Sequence, residues 1–304
     1  MLLGIEIGGT KLQLVLGTAD GVIAHRERCI VDKNRGSEGI REQICAAIPK
    51  LTSTTIIEAV GVGFGGPVNW RHGKVCCSHQ IKGWADFDLG AWLNDVTSAP
   101  VRVENDANTG CLGEALLGAG KGRNPVFYVT LGSGVGGGLV ANGSVYHGAT
   151  PAEAEIGHVR LARNGTIVED RCSGWAVDRR IKEAIQNYSG ELSNLCKASP
   201  GCEARHLAAA LKKRDPLARK ILTETAEDLA FGLSHVVHLC HPEIIVLGGG
   251  LSLLGDPLKE SVATALRRFI MDAFQPGPIV SLAALGEDAV PCGALLLAKQ
   301  LASL

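Results

Sequence analysis

The sequence predicts an α/β protein of two lobes, each opened by the same β-meander. Three observations carry this prediction. The chain has 304 residues, and at ~150 residues per domain that length is a prior for two bodies. The segments IEIGGTKLQLVLGTADGVI and VTLGSGVGGGLVANGSVY share one order: strand, glycine turn, strand, tight turn, strand. Helical patterns and short apolar runs are interspersed along both halves, as in a sheet covered by helices.

Taken in order, LLGIEI (2–7) is a short apolar run closed by glycines, which reads as a buried strand. Gly8-Gly9-Thr10 turns the chain, LQLVLG (12–17) resumes it, and Asp20-Gly21 is a hairpin signal leading into VIAHRERCI. A helix is expected over 37–51, a buried strand at AVGVGF (59–64), a strand at VRVEN (101–105) and a helix from Ala107 to about Leu117. The second half repeats the opening: NPVFYVTL (124–131) is a strand, GSGVGGG (132–138) a glycine turn, LVAN a strand and Asn142-Gly143 a hairpin turn. Helices are expected at 174–187, 216–240, 256–274 and 293–301, with strands at EIIVLGGGLS (243–252) and IVSLAAL. No low-complexity linker separates the halves. The expected lobes are 1–118, with a final helix at 293–304 packing back on it, and 119–292, with a cleft between them.

Composition removes several classes of function. The 30 basic and 31 acidic residues nearly cancel, which disfavours a nucleic-acid binder that relies on general basicity. No apolar run approaches the ~18 residues of a membrane span. The opening MLLGIEIGGTK has no basic stretch, and Glu6 interrupts its apolar run, so no signal peptide is expected and the chain reads as cytoplasmic. Ten cysteines in a chain of this length read as free thiols rather than a disulfide scaffold. The 39 glycines, nearly twice the usual ~7%, show no collagen-like period and belong to turns. Trp70, Trp84, Trp92 and Trp175 are scattered and read as packing residues.

Three glycine-rich turns follow predicted strands: Gly8-Gly9-Thr10-Lys11, Gly132-Ser133-Gly134 and Gly248-Gly249-Gly250. Glycine lets backbone N–H groups approach a phosphate closely, and Thr10, Ser133 and Lys11 add donors. None fits the P-loop pattern, and none has the helix-opening context of a dinucleotide fingerprint. In VENDAN, Asp106 stands where a strand gives way to a helix. Such an aspartate is either a helix N-cap or a general base at a strand end, and position alone does not separate the two. Glu155 and His158 in AEAEIGHVRL form a second polar pair.

These residues resemble the ROK family of sugar kinases over nearly the whole chain. IEIGGTK and TLGSGVGGGLVANG are similar to the family's two phosphate motifs, and GFGGPV to its sugar-lobe turn. VENDANTGCLGEALLGAG is similar to its sugar-binding and catalytic segment, AEIGH to its signature, and IIVLGGGLS to its adenosine motif. The resemblance implies the actin-like, hexokinase-like ATPase fold and ATP-dependent phosphorylation of a hexose or hexose derivative, with a glucokinase-type activity favoured. It implies Asp106 as the base, and Asn105, Glu155, His158 and the Gly65-Gly66 backbone as sugar ligands. Gly8, Gly9, Thr10, Lys11, Gly132, Ser133 and Gly134 would cradle phosphates, and Gly249 and Gly250 would lie against adenosine. ATP and Mg²⁺ are the implied cofactors, and a homodimer or homotetramer the implied assembly, with no nucleic-acid or membrane partner.

The chain departs from the family in two places. Glu6 stands where an aspartate is usual, keeping a carboxylate that would meet Mg²⁺ through water. The family's cysteine-rich zinc run is replaced by NGTIVEDRCSGWAVDRR, where Cys172 alone remains beside Gly174. Zinc held by thiolates needs more ligands than this, so no zinc is expected. Ala176 takes the place of a further sugar-contacting glutamate, with Glu169 or Asp178 as substitutes. Two rivals follow from the family. One is a non-catalytic sugar-binding regulator. The other is a repressor, whose N-terminal DNA-binding domain would have no room before a phosphate motif in the first ten residues.

Overall fold

The structure is a computed structural model that describes residues 1–52, 55–78 and 80–302. From the N-terminus run β1 (Leu2–Ile7), β2 (Lys11–Gly17), β3 (Ile23–Ile30), α1 (Gly36–Thr52), β4 (Ala59–Phe64), β5 (Val68–Asn69), β6 (Lys74–Val75), β7 (Phe87–Asp88), α2 (Leu89–Thr97), β8 (Val101–Asn105) and α3 (Asp106–Leu116). Then come β9 (Val126–Leu131), β10 (Val135–Ala141), β11 (Ser144–Val145), α4 (Val168–Cys172), α5 (Gly174–Ala184), α6 (Glu191–Ala198), α7 (Leu207–Lys212) and α8 (Pro216–Cys240). β12 (Ile244–Gly248), α9 (Asp256–Leu266), β13 (Ile279–Leu282) and α10 (Ala289–Ala302) close the chain.

The two large sheets have one order. The first is β3-β2-β1-β4-β8 and the second β11-β10-β9-β12-β13. In each, a strand at the centre is followed outward by the next two of its meander, and two later strands extend the other side in parallel. The internal repeat legible in the glycine turns is therefore a repeat of whole sheets. A small antiparallel sheet, β5-β6-β7, is inserted after β4.

The chain divides into two compact units. Unit 1 comprises 1–122, 138–153 and 284–304, and unit 2 comprises 123–137 and 154–283. Residues 138–153, expected with the second half, thus cluster with unit 1. The closing helix begins at Ala289, a turn earlier than expected, and positions 303 and 304 of its expected span lie outside the described residues. The glycine turn expected over 132–138 is shorter, because Val135 already pairs and Gly136, Gly137 and Gly138 belong to β10. The helix expected over 256–274 stops at Leu266. The helices α2, α4, α6 and α7 were not expected from the sequence.

In unit 1 the strand alternation decides which side each residue faces. Leu3, Ile5 and Ile7 enter one apolar cluster with Ile40, Ile44, Val60, Val62, Trp84, Leu93 and Val103. Leu2 and Val15 face the other side, with Leu295 and Ala298 of α10. That second face is built on glycine. Gly4 pairs with Gly61 across β1 and β4, and a Cβ at Gly61 would lie 1.9 Å from the carbonyl oxygen of Ala294. α10 therefore lies backbone to backbone on the sheet. It meets α3 in the same way: a Cβ at Gly113 would be 2.3 Å from the Ala289 oxygen, and one at Gly293 1.8 Å from the Thr109 oxygen. α3 is consequently buried along most of its length.

Gly293→Ala should force α10 away from α3. The expected loss is about 1–3 kcal/mol, the usual effect of overpacking a filled interior. It would appear as a lower urea midpoint with an unchanged slope. A midpoint equal to that of the native sequence would mean the two helices are free to slide apart.

Candidate active site

Three parallel strands of unit 1 end side by side. Ile7 is in register with Phe64, and Phe64 with Asn105, so Gly8, Gly65 and Asp106 follow in a row at the carboxyl edge. Ligands of open α/β sheets bind at this edge. The Gly65 N–H donates to the Ile7 carbonyl at 2.8 Å, and a Cβ on Gly65 would lie 3.4 Å from Asp106 Oδ2 and 3.6 Å from Gly8 Cα. Glycine here keeps the ground in front of Asp106 clear.

The N-cap position beside Asp106 belongs to its neighbour. Asn105 is the N-cap of α3: its Oδ1 accepts the N–H groups of Ala107 at 2.9 Å and Asn108 at 3.3 Å. Asp106 is the first residue of the helix, and its Oδ1 accepts the Ala107 N–H at 2.8 Å. Of the two readings that position left open for Asp106, the N-cap is held by Asn105. Asn105 Nδ2 also donates to the Gly66 carbonyl at 3.1 Å, tying the cap to the neighbouring turn and leaving a second amide hydrogen for a ligand.

Glu6 follows the strand alternation to the α10 face. Its carboxylate accepts from Gln13, its cross-strand partner, and lies 3.3 Å from Lys11 Nζ. Burial pushes the Glu6 carboxyl above its ordinary range, while the Lys11 ammonium and the Gln13 amide pull it down. The first glycine turn is closed by its own backbone, the Gly8 N–H donating to the Lys11 carbonyl at 2.9 Å.

Unit 2 repeats the closure, the Gly132 N–H donating to the Gly134 carbonyl at 3.0 Å. The Gly8 and Gly132 amides are thus used within their own turns. Parallel β9 and β12 bring the other glycine turn alongside. Gly249 has a φ of +77°, and a Cβ there would meet the Leu131 backbone at 2.5 Å, so only glycine fits. Gly132 and Gly250 face open space. Both line a cavity of about 390 Å³, together with Ser133, Trp175, Asp178 and Leu254, a volume within the usual range for small-ligand pockets. Trp84 is buried as expected and Trp92 packs on the core. Trp175 is half-exposed and lines this cavity, so it is not a packing residue.

Glu155 caps a short 3₁₀ turn, 156–158, that ends at His158. Both are exposed, and their spacing of three puts them on one side of such a turn. Gly157 between them lies against β10, where a Cβ would be 2.2 Å from the Val135 oxygen. The N–H of the same Val135 donates to Glu169 Oε2 at 2.9 Å. Glu169 therefore shares its anchor with the 155–158 turn, whereas Asp178 caps the Ala204 N–H at 2.7 Å and Ala176 is buried. The thiol of Cys172 is buried against the Thr225 carbonyl, and burial pushes its pKa far up.

Sequence reasoning missed a further cluster in unit 1. Glu104, at the end of β8, is buried with Asn108, His147 and Glu153. The VENDAN segment contains Glu104 and Asn108, but nothing local pairs them with residues forty positions away.

The sequence pattern of the ROK family matches residues 2–301. The glucokinase of Thermotoga maritima is 31% identical over 98% of this chain and 97% of its own length. A ROK family glucokinase from Streptomyces griseus, solved in complex with glucose and AMPPNP, matches with a TM-score of 0.86 at 30% identity, covering 98% of this chain and 99% of that one. The ROK hexokinase from Thermus thermophilus matches at 0.82 and 28% identity over 99% of each chain. The chain belongs to the ROK family. Its fold is the actin-like fold of the hexokinases. Among the described residues, no helix is long and apolar enough to cross a membrane.

The raised carboxyl of Glu6 makes a pH prediction. Its native-state pKa lies above the unfolded value, so the charged form costs stability at neutral pH, and the penalty fades as pH falls through the raised value. Glu6→Gln should therefore unfold at a higher denaturant concentration than the native sequence near neutral pH. The difference should close as pH falls into the ordinary carboxylate range. A less stable variant at neutral pH would show that the Lys11 pairing outweighs burial.

Proposed function

We propose that this chain is an ATP-dependent sugar kinase acting on a hexose or hexose derivative, of the glucokinase type. The observation that carries this reading is the row Gly8, Gly65 and Asp106 at one strand edge, with Asp106 as the first residue of α3 and Asn105 as its N-cap. Membership of the ROK family and the glucokinases at about this chain's length support it.

Phosphoryl transfer is mostly positioning and charge stabilisation. Unit 1 supplies the base: Asp106 accepts the proton of the attacking sugar hydroxyl. Its place in the first turn of α3 suits a negative charge. Asn105 and the Gly65-Gly66 backbone hold sugar hydroxyls; Glu155 and His158 are the further sugar ligands that the family resemblance implies, with Glu169 as their companion. Glu169 is preferred to Asp178 because its Val135 anchor is shared with the 155–158 turn, whereas Asp178 is committed to capping. The cavity at Gly132, Ser133 and Gly250 takes the adenosine side of ATP, with Trp175 at its wall. Thr10 and Lys11 face phosphate from the first turn.

The residues present also fit Mg²⁺. The Glu6 carboxylate is oriented by Gln13 and Lys11 and would hold the ion through water. When bound, Mg²⁺ neutralises charge on the β- and γ-phosphates.

Two variants test the reading. Asp106→Asn should fold normally, because the cap is Asn105, and should lose about 10²–10⁴-fold in kcat, the usual contribution of a general base. An ADP-coupled assay across a panel of hexoses measures it. More than a tenth of native kcat would remove proton abstraction by Asp106 from the mechanism. No turnover of any sugar by native protein that binds sugar would favour a regulator instead. His158→Ala removes a charge-assisted contact worth about 1.5–3 kcal/mol. Sugar KM should rise roughly 10- to 150-fold, with ATP affinity in the absence of sugar unchanged. An unaltered KM would return His158 to a structural role.

A further inference from the structure

Unit 1 holds a cluster that the kinase reading does not use. Glu104 is 1% exposed and Asn108 3%, and the His147 and Glu153 side chains are 12% and 7% exposed. The Asn108 amide Nδ2 donates to one oxygen of each carboxylate, Glu104 Oε1 at 3.1 Å and Glu153 Oε1 at 2.6 Å. Glu104 Oε1 accepts the Asn105 N–H as well. Each carboxylate is thus pinned by one oxygen, and the second oxygens, Glu104 Oε2 and Glu153 Oε2, are buried with no hydrogen-bond partner. His147 is placed between them. Its Nδ1 lies 3.2 Å from Glu153 Oε1, its ring stacks on Trp70 at 3.9 Å, and its Nε2 is buried without a partner, 3.3 Å from Glu104 Oε2.

Two buried carboxylates are costly unless a cation lies among them; His147 is within ion-pair distance of both, 3.3 Å from Glu104 Oε2 and 3.2 Å from Glu153 Oε1, but a neutral imidazole has one N–H and can donate to only one of them. The three residues offer ligand atoms within 4.8 Å of one another. Ligands about 2.1 Å from one tetrahedral ion lie roughly 3.4 Å apart, which is close to the separation of Nε2 and Glu104 Oε2. One imidazole and two carboxylates form a donor set that zinc accepts and that magnesium and calcium, which favour oxygen alone, do not prefer. The outer contact is also that of a metal site: the Asn108 amide holds one oxygen of each ligating carboxylate.

We propose that Glu104, His147 and Glu153 form a binding site for one Zn²⁺ ion. The site is separate from Cys172, which stands where the family's cysteine-rich zinc run would lie. It joins the end of β8, one residue before Asn105, to the segment 147–153. Its role is positioning: the ion would fix the strand end that presents the cap of α3.

The test begins with the full chain freed of metal by a chelator and titrated with ZnCl₂. Calorimetry should show one Zn²⁺ per chain, and the melting temperature should rise with zinc concentration as mass action requires. Glu153→Gln keeps the shape and the contact with Asn108, and should weaken zinc binding by about 100-fold or more, given that even outer contacts of metal sites are worth about 10–100-fold. His147→Gln is a second variant with the same expectation, in case the first does not fold. Co²⁺-loaded native protein should lack thiolate charge-transfer absorption. The proposal is overturned if folded native chain neither binds zinc stoichiometrically nor changes its melting temperature. It is equally overturned if the folded variants bind zinc as tightly as native protein, or if a thiolate band places the ion on cysteines.

Discussion

The approach of α10 to the β1–β4 sheet and to α3 is the constraint on which unit 1 depends. At Gly61, Gly113 and Gly293 the chains meet with no room for a single methyl group. Close packing of this kind transmits position without slack, because a filled interior cannot yield gradually. α3 is thereby held at a set height against the sheet, and Asp106, its first residue, is held with it. The parallel register of β1, β4 and β8 then decides what stands beside Asp106. A slip by one residue would turn Glu6 and Glu104 to the opposite faces.

The same edge shows a division of labour between adjacent side chains. A helix start needs its first N–H groups satisfied, and here Asn105 and Asp106 share the Ala107 N–H while Asn105 alone takes that of Asn108. Asn105 takes the duty with its carbonyl oxygen and spends an amide hydrogen on Gly66. Buried acids of unit 1 are each stabilised differently. Glu6 has Lys11 and Gln13. Glu114 accepts three backbone N–H groups, from Ala119, Ala284 and Leu285, and so fastens the segment leading into α10. Glu104 has Asn105 and Asn108 on one oxygen, with burial pushing its carboxyl up and His147 opposing.

In unit 2 the glycines serve two distinct purposes. Gly157, Gly174 and Gly249 permit contact between backbones, at Val135, Gly132 and Leu131 respectively. Gly132 and Gly250 instead border open space in a cavity. A sequence shows the same letter in both cases. The distinction between a glycine that the fold requires and one that a ligand requires comes from the distance to the nearest backbone atom.

Much of the architecture was legible in the chain because it rests on local rules. Apolar runs bounded by glycine gave β1, β4, β9 and β12, paired turn residues gave the hairpins, and the recurrence of one meander indicated a duplicated sheet. The motifs around Gly8, Asp106, Gly132, Glu155 and Gly249 were likewise visible, since each is a contiguous stretch. Short helices such as α4 and α6 were not, for a few residues carry too little periodicity. Tertiary structure alone decided that Asn105 and not Asp106 is the cap, that Gly8 and Gly132 spend their amides on their own turns, and that Glu169 shares an anchor with the 155–158 turn. It alone assembled Glu104, Asn108, His147 and Glu153. The physical reason is common to all of these. Hydrogen bonding and burial depend on distances that the folded backbone sets, between neighbours in a turn as much as between residues far apart in the chain, and no spacing in a sequence records them.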